Sequence, residues 1–239
     1  MLDTLRNYFR KQQFAPTFLG VFLNPFYLAR RELRREIEKA STALQSPLLD
    51  IGCGSKPYRD LFSFDGYIGV DIASETTKAQ MRADVFYDGR RFPFRDGQFN
   101  SVLCNQVLEH VFTPDEFIRE IRRVLAPGGR LLLTVPFVWD EHEQPFDYAR
   151  YSSFGLKNLL ERHQFKVTTH RKLLANAGVL FQLAAAYVFK VARPRNAWVR
   201  LAVTTLVISP ISLLGVLAMT CLPRNQDLFL DQLVIAETV

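Results

Sequence analysis

Cysteine is scarce. Cys53, Cys104 and Cys221 stand far apart, and none belongs to a Cys-x-x-Cys pair. This excludes a disulfide framework and argues against a structural metal site, so no metal is expected. It also fits a reducing cytosol. No dense Lys/Arg tract is interleaved with stacking aromatics, so nucleic acid is disfavoured as a partner even though the formal charge is +6. No internal repeat is visible. The first apolar run, Phe14 to Leu23, follows basic residues as a secretion signal would. It carries Pro16 and Gly20, however, and no small-residue cleavage site follows, so secretion is not expected. Charge is absent from Leu201 to Pro223, a stretch long enough to cross a bilayer.

Hydrophobic residues make up 48% of the 239 and charged residues 23%, the balance of a folded chain with one sizeable domain and additions. Aromatics reach 13%, with 20 phenylalanines, which suggests apolar contacts beyond an ordinary core.

The most informative stretch is Leu48-Leu49-Asp50-Ile51-Gly52-Cys53-Gly54-Ser55-Lys56-Pro57. A short apolar run ends in an acid, and two glycines follow one residue apart: a buried strand entering a tight turn. Tyr67-Ile68-Gly69-Val70-Asp71 is a second strand ending in an acid, about 20 residues on, the interval at which a carboxylate meets a ribose hydroxyl in nucleotide-binding α/β folds. The dinucleotide fingerprint needs a third glycine, and here Ser55, Lys56 and Pro57 follow Gly54 instead. A nicotinamide oxidoreductase is therefore disfavoured.

Asp-x-Gly-x-Gly at a strand end, followed by an acid-ended second strand, resembles motif I of class I S-adenosylmethionine-dependent methyltransferases. The likeness continues through Ala83-Asp84, Phe92 to Val102, Val107-Leu108-Glu109-His110-Val111 and Val124 to Arg130, and spans about residues 47–172. Residues 137–152 resemble the His-Glu-x-Pro-x-Asp-x-x-Arg-Tyr segment of type 11-like methyltransferases, including members associated with saccharides. The implied fold is α/β: a doubly wound, mostly parallel seven-stranded sheet, Rossmann-like, with an apolar helical insertion before the last strand. The implied cofactor is S-adenosyl-L-methionine. By resemblance, Gly52 and Gly54 admit its methionyl part with Asp50 near the ammonium group. Asp71 takes the ribose hydroxyls, Asp84 with Val85 flanks the adenine, and Asn105 with Gln106 closes the pocket.

Taken in order, residues 1–45 read as a helical lid or membrane-contact segment. Residues 2–14 form a basic amphipathic helix with Leu2, Leu5 and Phe9 on one face, and residues 25–45 a charged helix most of whose charges form a solvated face. Residues 46–173 are the cofactor-binding core, with its third strand over Met81 to Val85 and its fifth over Arg130 to Val135. Thr113-Pro114-Asp115-Glu116 predicts a helix start with a Thr cap. Residues 174–226 are an apolar helical insertion in two runs, Ala177–Phe189 and Leu201–Pro223, the second interrupted by Pro210. Residues 227–239 supply the final strand, over 228–236. If that strand joins the sheet, a single complete crossing is impossible, and a hairpin that covers the core or dips into one leaflet is expected. Arg193, Arg195 and Arg200 in the connector would meet anionic headgroups.

Methyl transfer to oxygen or nitrogen needs a proton acceptor, and histidine titrates near neutrality. His110 and His142 are the candidates. Glu141 or Glu143 could orient His142, and Asp147, Tyr148, Arg150 and Tyr151 read as substrate-shaping groups. His163 and His170 read as structural. The expected acceptor is a small molecule or lipid-linked group, including a saccharide, met by a monotopic or peripheral protein on the inner face of a membrane. A quinone-type C/O-methyltransferase and a non-catalytic cofactor-binding membrane partner are the alternatives. The acceptor and the oligomeric state are not legible.

Overall fold

The computed structural model describes residues 2–74, 83–192 and 195–239, with side chains from Tyr8 onward. The Leu2 and Leu5 face of the first helix, Met81 at the expected start of the third strand, and Arg193 lie outside what is described. The chain divides into two compact units: residues 1–36 with 172–230, and residues 37–171 with 231–239.

The second unit is a seven-stranded sheet ordered β3-β2-β1-β4-β5-β7-β6. Its strands are β1 (Leu48–Ile51), β2 (Tyr67–Ile72), β3 (Val85–Tyr87), β4 (Phe99–Asn105), β5 (Leu125–Pro136), β6 (Phe165–Leu173) and β7 (Asp231–Thr238). β1 to β5 pair in parallel. β7 lies antiparallel against β5, from Arg130 opposite Glu237 to Pro136 opposite Asp231. β1 is wholly buried, as a central parallel strand must be. In α3 (Pro114–Val124), Phe117, Ile118, Ile121 and Val124 recur at helical spacing and are buried in the core. Asp115 and Glu116 open α3 while Arg122 and Arg123 close it, matching the helix dipole. Thr113 occupies the cap position, but its side chain makes no capping bond, because its backbone (φ −114°, ψ 75°) departs from the extended shape that aims a cap oxygen inward. Ser152 does cap α4 (Ser153–Glu161), accepting the Gly155 N–H at 3.1 Å. β5 starts five residues earlier than the apolar run suggests, and the Pro127-Gly128-Gly129 turn lies within it.

The first unit is helical: α1 (Leu2–Phe14), a 3-10 turn (Phe18–Phe22), most of α2 (Tyr27–Ser41), α5 (Gly178–Ala192) and α6 (Ala197–Cys221). The sequence treats its N-terminal and C-terminal parts as separate segments; they pack together as one unit. Gly178 and Gly215 let α5 and α6 close up. A Cβ at Gly215 would lie 2.8 Å from Phe181 and one at Gly178 would lie 2.7 Å from Met219. Buried polar groups staple the apolar helices. Gln182 accepts the Ala29 N–H at 3.0 Å and donates to the Pro25 carbonyl at 3.2 Å. The Ser209 hydroxyl donates to the Val21 carbonyl at 2.9 Å. Pro210 does not interrupt the apolar helix. A π turn over Thr204–Ile208 precedes it, and the wider turn absorbs the misfit. On α2 Glu36 is the charged residue that leaves the solvated face: it is buried, 3.4 Å from Arg35.

Gly52, where the chain leaves β1, has φ +64°, and an added Cβ would sit 2.5 Å from Val107 Cγ2. Strain and overlap act together there. Gly52→Ala is expected to lower unfolding free energy by about 2 kcal/mol, and Val107→Ala on that background to recover only the overlap part. Denaturant titration of both variants measures this, and an unchanged midpoint for Gly52→Ala would be contrary to it.

Candidate functional site

The site forms where the parallel strands end. The β1 turn is fixed by the Gly52 and Cys53 N–H groups, which donate to the Val70 carbonyl at 2.9 and 3.2 Å. Gly54 has φ +47°, and nothing lies within 4 Å of a Cβ built on it. Its N–H donates to Asp71 Oδ2 at 3.0 Å, and the Ile72 N–H donates to Oδ1 at 2.8 Å. Asp71 is half-buried. Each carboxylate oxygen has taken one donor and keeps a second lone pair. An open glycine beside a preset carboxylate is the cradle a ribose-bearing ligand needs.

Asp50 is buried, its carboxyl bonded by the Tyr67 hydroxyl. Burial pushes its pKa up to about 7, against the lowering effects of Tyr67 and Lys56. Such an acid gains most when a cation arrives. Asp84 accepts the Gly69 N–H at 2.7 Å on one oxygen and Lys56 Nζ at 2.5 Å on the other. Burial raises its pKa, but Gly69 and Lys56 outweigh that and hold it below the ordinary value. Asp84 thus ties β2 to the glycine turn, and each of its oxygens, like those of Asp71, keeps a second lone pair beside Val85 at the start of β3. Asn105 and Gln106 are both tethered to Thr134. The Thr134 hydroxyl donates to Asn105 Oδ1 at 2.8 Å, and the Gln106 N–H to the Thr134 carbonyl at 3.0 Å. Tyr67, Lys56 and Thr134 were not singled out in the sequence. Only their pairing in space marks them.

The segments after β4 and β5 bring His110 and His142 together, with ring centres 4.8 Å apart and edge to face. Phe146 O lies 2.8 Å from His110 Nδ1. His142 Nδ1 faces two acceptors, Asp147 Oδ2 at 3.2 Å and Asp140 O at 3.3 Å. A neutral ring at either position that donates to these acceptors carries its proton on Nδ1 and keeps a lone pair on Nε2. Burial holds His142 below its ordinary pKa, against the raising effects of the Asp140 carbonyl and the Asp147 carboxylate, and so favours the neutral ring.

Asp147, not Glu141 or Glu143, orients His142. Its Oδ2 also accepts the His142 N–H at 2.9 Å. Asp147 and Arg150 pair bidentately at 2.5 and 2.6 Å. Arg150, first among its neighbours, holds the Asp147 carboxyl far below the carboxylate range. Both residues are thus held in an ion pair that positions the His142 backbone and ring. Tyr151 is half-buried against the core, burial pushing its hydroxyl up to about 12. Of the four expected substrate groups only Tyr148 is exposed, its ring 5.3 Å from that of the exposed Phe112. Glu143 faces His110 instead, at 4.0 Å.

Glu109 was unmarked in the sequence. It is fully buried, neither oxygen has a hydrogen-bond partner, and burial pushes its pKa up to about 8. Its carboxyl lies 3.9 Å from His110 Nε2. His163 is 2.7 Å from Asp115 and His170 is 2.8 Å from Gln232, so both serve packing.

A family model described as a methyltransferase domain matches residues 49–133. An uncharacterized protein of Methanocaldococcus jannaschii is 33% identical over 90 residues, covering 36% of this chain and 43% of its own length. The ubiquinone biosynthesis O-methyltransferase of Xanthomonas oryzae is 32% identical over 99 residues, covering 36% and 41%. The chain thus spans less than half the length of these relatives. Phosphoethanolamine N-methyltransferase 2 of Haemonchus contortus, solved with S-adenosyl-L-methionine, superposes with a TM-score of 0.55 at 16% identity, covering 92% of this chain and 56% of that one. At that identity the likeness is one of fold.

Asp71→Ala should leave ribose hydroxyls unpaired and weaken nucleoside binding by about 1–3 kcal/mol. Calorimetry with S-adenosylhomocysteine on a folded variant reads this directly, and full affinity would remove Asp71 from the site. Asp147→Asn should lower the His142 pKa further, because the carboxylate raises it together with the Asp140 carbonyl, which stays. It should also destabilise the fold by about 1–3 kcal/mol, since Arg150 loses its charged partner and keeps only the Ala149 and Asp140 carbonyls and an amide oxygen. NMR titration of the imidazole and thermal unfolding check the two parts.

Proposed function

On the premise that residues 49–133 are a methyltransferase domain, we propose that the protein uses S-adenosylmethionine to methylate an oxygen of a membrane-associated or lipid-linked acceptor. The observation that carries the chemistry is the His110–His142 pair, with Asp147 behind His142, in the segments that follow β4 and β5. When bound, S-adenosylmethionine supplies a methyl group already activated as a sulfonium. Gly54 and Asp71 fit that cofactor, one giving room and the other ribose acceptors. The chain's part is then to align the acceptor, exclude water and take one proton. His142 Nε2 would take the proton that the acceptor hydroxyl gives up as its oxygen receives the methyl group. Asp147 keeps that ring oriented and stabilises it once charged. Exposed Tyr148, Phe112 and Phe146 give the acceptor an aromatic surface. An O-methyltransferase among the relatives supports oxygen over nitrogen and keeps a quinone-type acceptor as the alternative.

The membrane part of the reading rests on the helical unit. α6 is long and apolar enough to cross a bilayer, yet only 28% of its most apolar stretch is buried. Leu206, Leu214 and Leu217 are 73%, 57% and 59% exposed. An apolar helix that stays exposed needs an apolar neighbour. β7 lies in the sheet, so the chain that leaves after β6 comes back to the same sheet. A re-entrant, monotopic placement on the cytoplasmic face satisfies both facts.

His142→Ala should reduce turnover about 10²–10⁴-fold while cofactor affinity stays unchanged. The acid limb of the wild-type rate profile should lie below pH 6.5, because burial lowers His142. Prior dialysis against EDTA should leave turnover intact. A loss restored by a divalent cation would transfer the activating role from His142 to that cation. For the membrane, the wild-type chain should float with anionic liposomes and resist salt, whereas Asp at Leu206, Leu213 and Leu217 together should leave it in the dense fraction. A wild-type protein that stays at the bottom of the gradient overturns this placement.

A further inference from the structure

The helical unit has a composition the rest of the chain lacks. It holds thirteen of the 30 basic residues but only Asp3, Glu32, Glu36 and Asp227 of the 24 acidic ones. No Asp or Glu occurs in residues 4–31 or 172–226. Within this unit lies a cleft of about 580 Å³. Its walls are mostly aromatic and aliphatic, including Phe14, Phe26, Phe189 and Trp198, and no acidic residue lines it. Arg30 and Arg200 both line it.

These two arginines are unlike the others in the molecule that neighbour carboxylates. Arg35, Arg123, Arg130, Arg150 and Arg162 each hold an acid within 4 Å. Arg30 instead lies over the Phe14 ring, its guanidinium carbon 5.2 Å from the ring centre, and among the described residues it has no carboxylate partner. Arg200 has none there either. A guanidinium kept on an aromatic face, facing a cleft without acids, retains its hydrogen-bonding fork for an incoming anion. Meanwhile Trp198 is 79% exposed at the cleft. An indole held open beside cationic groups suits the boundary between headgroup and chain.

We propose that this cleft binds one phosphate-bearing lipid, its chain along the aromatic walls and its phosphate between Arg30 and Arg200. The volume falls in the range of sites that hold drug-sized ligands. A free inorganic anion would leave the apolar walls bare, and an uncharged lipid would leave both guanidinium groups unanswered. The lipid site uses only residues of the helical unit and does not require methyl transfer.

The test titrates the full chain with dioctanoyl phosphatidic acid below its micellar concentration, with dioctanoylglycerol and inorganic phosphate as the other arms. One phosphatidic acid per chain should bind, at least about tenfold tighter than either other probe. Arg30→Gln with Arg200→Gln should weaken it at least about tenfold. Arg10→Gln with Lys11→Gln removes the same charge from exposed positions of α1 outside the cleft and should change affinity less than about twofold. A bromine-labelled phosphatidic acid should quench Trp198 in a Trp139→Phe background, which needs no arginine variant. Equal binding of the glycerolipid, equal binding of phosphate, equal weakening by the α1 pair, or absent quenching would each overturn the proposal.

Discussion

The insertion of β7 between β5 and β6 constrains everything that follows β6. Seven registered positions on β5, Arg130 to Pro136, meet β7 antiparallel, and five of the facing residues on β7 are wholly or nearly wholly buried. A central strand cannot be left unpaired without exposing a row of backbone donors and acceptors. The chain between β6 and β7 must therefore return to the sheet it left. That requirement makes α5 and α6 a two-ended insertion and not a tail, and Gly178 and Gly215 are where the pair closes. A lone apolar helix of 25 residues would otherwise read as a simple crossing.

Much of the sheet was legible because its signals are local. An apolar run ending in Asp50 and a glycine pair defines β1 without reference to anything distant, and Phe117, Ile118, Ile121 and Val124 carry the period of a helix packed on one side. Thr113 shows the limit. The residue type suits a cap, but a hydrogen bond depends on two backbone angles that neighbouring tertiary contacts decide. Pro210 shows another: its missing N–H disrupts a regular α-helix, and the chain answers with a wider turn that no residue type announces.

The site divides in the same way. Gly52, Gly54 and Asp71 belong to two consecutive strands, so spacing alone brings them into view. The histidine cluster is assembled from the ends of β4 and β5, 32 residues apart in number between His110 and His142, and spacing says nothing of an edge-to-face contact. The choice of Asp147 over Glu141 or Glu143 could not be read in advance. All three are near in sequence, but only Asp147 is buried, bidentate with Arg150 and turned back on the His142 backbone. Burial likewise distinguishes Glu109 from every other glutamate in the neighbourhood, and burial is a property of the fold.

Asp50 has a consequence beyond holding a strand end. Its carboxyl sits in the interior, with a tyrosine hydroxyl as its one hydrogen-bond donor among the described residues, and so carries a proton in a large fraction of molecules near neutrality. Any cation seated against it shifts that balance toward the ionised form and sends the proton into solution. Occupancy and acidity of the medium are then linked: each step toward lower pH asks the ligand to displace more protons. The heat recorded for such an association would include the buffer's own enthalpy of protonation, and two buffers at one pH would report two different heats for a single event.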